Sequence, residues 1–253
     1  MNITESIMKA SAVQMARPRL YGPFHIVMAV CGIALSVILA YRLRDIGYKR
    51  LLRLLFYCGL VLVISEVYKQ FFLYYAVNGG VYEWDRFPFQ LCSVPMYLMV
   101  LLPLVPDRVK KWFLAFLPAF AFMGGVIVYI DPEDMLSSYV FLTLHSFIWH
   151  FILIFCGLVT AFNTERISFK YPLGVYIAGC VIAEIFNFAF NGFGYISMFY
   201  INPMRPMTQI VFKDISAALG AWPGIAVYAS ATAAGGYIFY RLAYFFKDRV
   251  KKT

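Results

Sequence analysis

One segment of this chain places a thiol among prolines: Arg86-Phe87-Pro88-Phe89-Gln90-Leu91-Cys92-Ser93-Val94-Pro95. Pro88 suits a first helical turn, where a missing N–H costs nothing. Pro95 removes a later donor, which frees the carbonyl of Leu91 and bends the helix. Cys92 is thereby expected near a helix N-terminus, a setting that favours the thiolate, and the thiolate is the nucleophile. Cys31, Cys58, Cys156 and Cys180 lie in apolar runs and read as packing residues. Disulfide and CxxC spacings are absent. Histidines supply proton carriers: His25, His145 and His150. The last two are five apart, about 140° around a helix, so a single centre takes one of them. His145 is the better aligned in depth with Cys92. Glu66 and Lys69 are i, i+3 and pair on one helix face. Glu184, Asn187 and Asn191 form a polar stripe at i, i+3, i+7.

Those depths rest on a membrane threading. Hydrophobic residues make up 62% of the chain, charged residues 14%, and mean hydropathy is +0.72. Soluble domains hold about 45–50% apolar and about 25% charged residues, so this composition defines an integral membrane protein. A spanning helix needs about 20 apolar residues. Seven stretches qualify, 22–42, 52–77, 87–105, 112–130, 136–161, 171–191 and 215–241. They predict an all-α, polytopic fold that is a single transmembrane domain over 1–253. The first 21 residues lack the h-region of a signal peptide. No fixed-period repeat supports an inverted-repeat transporter.

Basic residues orient the chain. Lys9, Arg17, Arg19, Arg86, Arg205 and Lys213 fall on one side, six in all. Fifteen fall on the other, in 42–53, 108–111, 166–170 and from Arg241 to Lys252. The positive-inside bias predicts N-out, C-in, in the plasma membrane. At about 1.5 Å per residue, His145 then lies about 13–15 Å below the outer surface. His25, Glu66, Lys69, Gln90, Cys92, Glu184, Asn187 and Asn191 reach the outer half or the midplane by the same reckoning. Ionisable groups at such depth usually mark function. The expectation is a common cavity built by spans 2, 3, 5 and 6, although helix–helix hydrogen bonding also explains polar residues of this kind.

Several functions fall away. A retinal protein needs a lysine in the seventh span, which has none, and two bis-histidine haems need four histidines. HExxH is missing. The basic loops read as headgroup anchors rather than a nucleic-acid surface. No metal and no cofactor is expected.

The order of GPFH (22–25), SEVYK (65–69), FPFQLC (87–92), a histidine-bearing fifth span, AEIFNFAFNGFGYISMFYINP (183–203) and LGAWP (219–223) resembles the bacterial YwaF-like seven-helix membrane family. That family is related to an animal transmembrane acyltransferase that remodels ether phospholipids. The resemblance covers about 22 to 228 and implies acyl transfer through a cysteine thioester, with Cys92 as nucleophile and His145 as its proton carrier. The chain departs from the family pattern in having Phe-Gln-Leu between Pro88 and Cys92, and in the lack of a second histidine beside His145. Membrane phospholipid or another acyl lipid is then the partner. A small-molecule or ion carrier using Glu66, Lys69 and Glu184 is the competing expectation, with a lipid- or peptide-binding subunit as a third.

Overall fold

The computed structural model describes residues 2–250, and among these it is all-helical apart from one isolated bridge, Gln14 to Tyr139. Lys251 and Lys252, which entered the charge count, lie outside the described residues. The helices are α1 (Ile3–Ala10), α2 (Pro23–Arg42), α3 (Tyr48–Phe72), α4 (Val94–Leu101), α5 (Asp107–Phe116), α6 (Phe122–Ile127), α7 (Val140–Asn163), α8 (Lys170–Phe190), α9 (Phe212–Leu219) and α10 (Ala221–Val250). Wider π-turns extend α3 through Leu73–Val77 and join α5 to α6 through Leu117–Ala121. In the second of these, Pro118 lacks the donor that a regular turn requires.

Five helical stretches are long and apolar enough to cross a membrane: Pro23–Arg42, Tyr48–Val77, Asp107–Ile127, Val140–Asn163 and Lys170–Phe190. Their outer faces carry apolar side chains, among them Val30 and Ile38 on α2, Ile64 on α3, and Val181, Ile185 and Phe188 on α8. Such faces are a liability in water and a match for hydrocarbon. Two of the seven predicted spans differ from expectation. The third, 87–105, is not a continuous helix, because regular α-structure begins only at Val94 and ends at Leu101. The seventh, 215–241, is split at Gly220, whose φ of 92° closes α9 before α10 begins. α10 has 30 residues, with an apolar character diluted by Ser230, Thr232, Gly235 and Gly236.

α7 is the central element and packs against α2, α3, α6 and α10. The face of α2 that meets it is built from small residues, Ala29, Gly32, Ser36 and Ala40, which allow backbones to approach closely. A Cβ on Gly32 would stand 1.9 Å from the Phe151 ring, and the Ser36 hydroxyl donates to the Phe151 carbonyl at 3.1 Å. α3 packs along α4, with Gly59 facing Met99 and Val100. At one end of this pair Lys49, Leu52 and Phe56 lie beside Leu102 and Pro103. At the other end, Gln70 of α3 donates to the Arg86 carbonyl at 2.7 Å. Residues 86–103 therefore run the full length of α3 although only eight of them form helix.

Gly32→Ala should destabilise the protein by about 1–3 kcal/mol, the usual cost of overpacking. Thermal denaturation in detergent measures it, and Phe151→Leu in the same chain should recover part of the loss.

Candidate functional site

Residues 87–93 are irregular because the sequence forbids a helix there and the surroundings supply other partners. Pro88 cannot donate, and its carbonyl accepts the Tyr97 hydroxyl at 2.7 Å. The Cys92 carbonyl accepts the Trp149 indole N–H at 3.0 Å. Short backbone turns join Phe89 N–H to Phe87 and Ser93 N–H to Gln90. Pro95 falls in the first turn of α4, where no intrahelical donor is required. The expectation that Pro95 bends a helix already under way is thus corrected: it helps to start one, and Cys92 stands two residues before that start.

Cys92 and Ser93 border a cavity of about 510 Å³. Glu66 and Lys69 from α3, Gln90, and His145 and His150 from α7 share it. Its end on the side of the N-terminus is ringed by charged loop residues: Arg17, Glu83, Asp85, Arg86, Glu133 and Asp134. Lys69 Nζ lies 2.7 Å from Glu66 Oε1, which also accepts Gln70 Nε2 at 2.7 Å. The other carboxylate oxygen is 3.8 Å from His145 Nε2. His145 Nδ1 is 2.6 Å from the Ser65 hydroxyl, and its ring packs 5.4 Å from that of Trp149. Ser65 and Trp149 fix the imidazole from two sides. The Cys92 carbonyl and the His145 ring are thereby held by a common side chain, Trp149.

His150, though 140° from His145 by helical spacing, borders the same cavity because the cavity is wide. Its Nδ1 donates to the Ser146 carbonyl at 2.6 Å, which leaves Nε2 as the unprotonated nitrogen of the neutral ring. Four residues expected at the cavity do not line it. His25 is buried among Tyr21, Tyr129 and Phe147, with neither ring nitrogen hydrogen-bonded. Glu184 Oε2 is buried without a partner on α8. Asn187 accepts from Met198 N–H at 2.7 Å and donates to the Met198 carbonyl at 3.2 Å. The Asn191 backbone carbonyl receives Arg205 at 3.1 Å. The depth argument takes no account of rotation about each helix axis, and these four side chains face away from the cavity. Among the described residues no cluster of three or more His, Cys, Asp or Glu is arranged to hold a metal ion.

Gln90 meets the cavity but its amide is committed to the 192–205 loop: Nε2 donates to Ser197 O at 3.0 Å and Oε1 accepts Phe199 N–H at 2.8 Å. Gripped by Gln90 and Asn187, that loop turns through two successive left-handed residues, Phe199 (φ 56°) and Tyr200 (φ 58°). Each non-glycine residue so placed costs on the order of 1–3 kcal/mol. Tyr200 borders the cavity as a result. Ser65, Trp149 and Tyr200 were not legible as site residues, since nothing in their spacing distinguishes them from packing.

The N-terminal strap covers this same charged end of the cavity. Met15 N–H donates to Ser138 O, Val140 N–H donates to Val13 O, and Arg17 donates to the carbonyls of Leu136 and Glu133, all at 2.9–3.0 Å. Asp85, in the loop outside the spanning helices, has its carboxyl pushed up by burial.

A multi-pass helical membrane protein with a broken third segment and a Cys–His–Glu–Lys cavity is the class that these features define. The sequence profile of the TMEM164 family, a family of transmembrane proteins, matches residues 20–240, and the chain belongs to that family. No curated protein and no solved structure matches it.

Because the folded state raises the Asp85 carboxyl, this group favours the fold most below the ordinary carboxylate range and loses that contribution as pH rises through its folded value. Asp85→Asn should therefore raise the thermal midpoint at pH 7, and the gain should shrink as pH falls towards 4. Melting curves of the two proteins across that range check it.

Proposed function

We propose that this protein is a plasma-membrane enzyme that moves an acyl group from a phospholipid or another acyl lipid through a thioester on Cys92. The observation that carries this reading is the shared cavity. A cysteine freed from helical packing, a histidine held by Ser65 and a Glu66–Lys69 ion pair all border it. With its Nδ1–H donating to Ser65, His145 takes the Cys92 thiol proton at Nε2, and the sulfur attacks the ester carbonyl carbon of the lipid. A C–S bond forms, the tetrahedral intermediate collapses, and the C–O bond breaks. The departing oxygen recovers the proton from His145. A hydroxyl acceptor, or water, then attacks the thioester and regenerates the thiol. Glu66, 3.8 Å from the ring, steadies the charge of the transient imidazolium, and Lys69 holds the carboxylate in place by pairing with it. No cofactor and no metal enters this sequence, and nucleic acid is not a partner.

The same reading takes the chain as one transmembrane domain with seven crossings, N-out and C-in. The third crossing is the broken segment 87–103, and the seventh is α10. Two observations support it: Leu102 lies beside Lys49 at the basic end of α3, and the cavity mouth collects the charged loops on the N-terminal side.

Incubation with phospholipid vesicles followed by intact-protein mass spectrometry should show one added acyl mass on the wild-type protein and none on Cys92→Ala. His145→Ala should slow its appearance by roughly 10²-fold or more, whereas Glu184→Gln, away from the cavity, should not. An adduct that persists in Cys92→Ala excludes the thioester. Single cysteines in a cysteine-free background test the threading: Asp134→Cys should react with an impermeant reagent from the side of the N-terminus, and Asp248→Cys from the other. Reaction of both from one side contradicts it.

A further inference from the structure

Acyl transfer at Cys92 places a negative charge on the former carbonyl oxygen, and a donor has to meet it. Several of the cavity's side-chain donors are engaged, although the hydroxyls of Ser138, Tyr139 and Ser146 share the lining with Tyr200. Trp149 donates to the Cys92 carbonyl, Gln90 holds the loop, and Lys69 is paired with Glu66. Ser65, which is not among the lining residues, accepts from His145 Nδ1, and Ser93 pairs with the Cys92 thiol itself. His150 presents an acceptor nitrogen. Tyr200 borders the cavity, lies within electrostatic reach of Cys92, and its hydroxyl has no hydrogen-bond partner among the described residues. Its place is enforced by a backbone that a tyrosine does not adopt by preference, held over the three preceding residues by Gln90 and Asn187. Strain maintained by surrounding structure is a mark of positions with a task.

We propose that Tyr200 is the oxyanion donor of this site: its hydroxyl hydrogen-bonds the acyl oxygen as the Cys92 sulfur adds to the carbonyl carbon, and it keeps its own proton throughout. The proposal rests on the acyl-transfer reading. It adds a catalytic residue and explains why the 192–205 loop is clamped by side chains from α8 and from the segment before α4.

Two reagents separate the donor role from mere packing. A haloacetamide alkylates a thiol by displacement and forms no oxyanion, whereas an activated short-chain ester acylates the same sulfur through one. Tyr200→Phe keeps the ring and removes the hydroxyl. Relative to wild type, Tyr200→Phe should alkylate Cys92 at an unchanged rate and acylate it roughly 10²- to 10³-fold more slowly. Equal acylation by the two proteins overturns the donor role, as does an equal loss of both reactions, which marks Tyr200 as structural. Replacing Tyr200 with 3-fluorotyrosine, whose phenol is the stronger donor, should restore or exceed the wild-type acylation rate. If it behaves as Phe does, the proposal fails. Cys92→Ala run alongside tests the underlying reading separately: acylation that survives in it removes Cys92 whatever Tyr200 does.

Discussion

Hydrocarbon offers a peptide group no hydrogen-bond partner, so a chain can leave the helix at membrane depth only where protein or an enclosed cavity answers its N–H and C=O groups. On the seven-crossing reading residues 87–93 live under that constraint, and their backbone groups are met accordingly. Tyr97 answers Pro88, Gln70 answers Arg86 and Trp149 answers Cys92. Each of these side chains belongs to a helix that must then stay in register. α7 can bring Trp149 to Cys92 because Gly125 and Gly157 let α6 approach closely. A Cβ at Gly125 would stand 2.9 Å from the His150 carbonyl, and one at Gly157 2.9 Å from the Leu117 carbonyl. Fixing Trp149 also fixes His145 one turn earlier, so the bond that satisfies the backbone is the one that positions the histidine.

A second clamp works in the same way from the other side. Gln90 and Asn187 take hold of consecutive peptides of the 192–205 loop, and Asn202 receives Met204 N–H and donates to Ile196 O. Phe199 packs on Phe89 and Tyr176, which anchors the strained turn and leaves Tyr200 on the cavity side. Polar residues at membrane depth thus divide into two kinds. Gln90, Asn187 and Trp149 hold irregular backbone, while Glu66, Lys69, His145 and Cys92 keep side-chain atoms towards the open space.

Much of the fold was legible in the sequence because hydropathy responds to length and composition. Five of the seven predicted stretches coincide with long apolar helices to within a few residues at either end. The third and seventh differ from continuous helices, irregular before Val94 and broken at Gly220, and a hydropathy window does not register where hydrogen bonds run. Pro88 and Pro95 were read as features of one helix, whereas together they exclude one from 87–93. Glu66, Lys69, Gln90, Cys92 and His145, grouped from the sequence by their place along their spans, do line one cavity. Azimuth was not legible. Glu184 and Asn191 lie on faces that only the tilt and rotation of α8 decide, and His25 turned into an aromatic cluster. Ser65 and Tyr200 had no signal at all, since a serine beside a glutamate and a tyrosine in an aromatic loop are ordinary in such a chain.

The central claim is that Cys92 opens onto a cavity reached from the N-terminal side of the membrane, past the charged ring of Arg17, Arg86 and Asp134. Its most direct test is the side from which that thiol can be reached. In a protein that retains Cys92 alone, an impermeant methanethiosulfonate is applied to sealed vesicles of known orientation. The account predicts modification from the N-terminal side and none from the other. Modification only from the opposite side, or a thiol that stays silent until the protein is denatured, would contradict it.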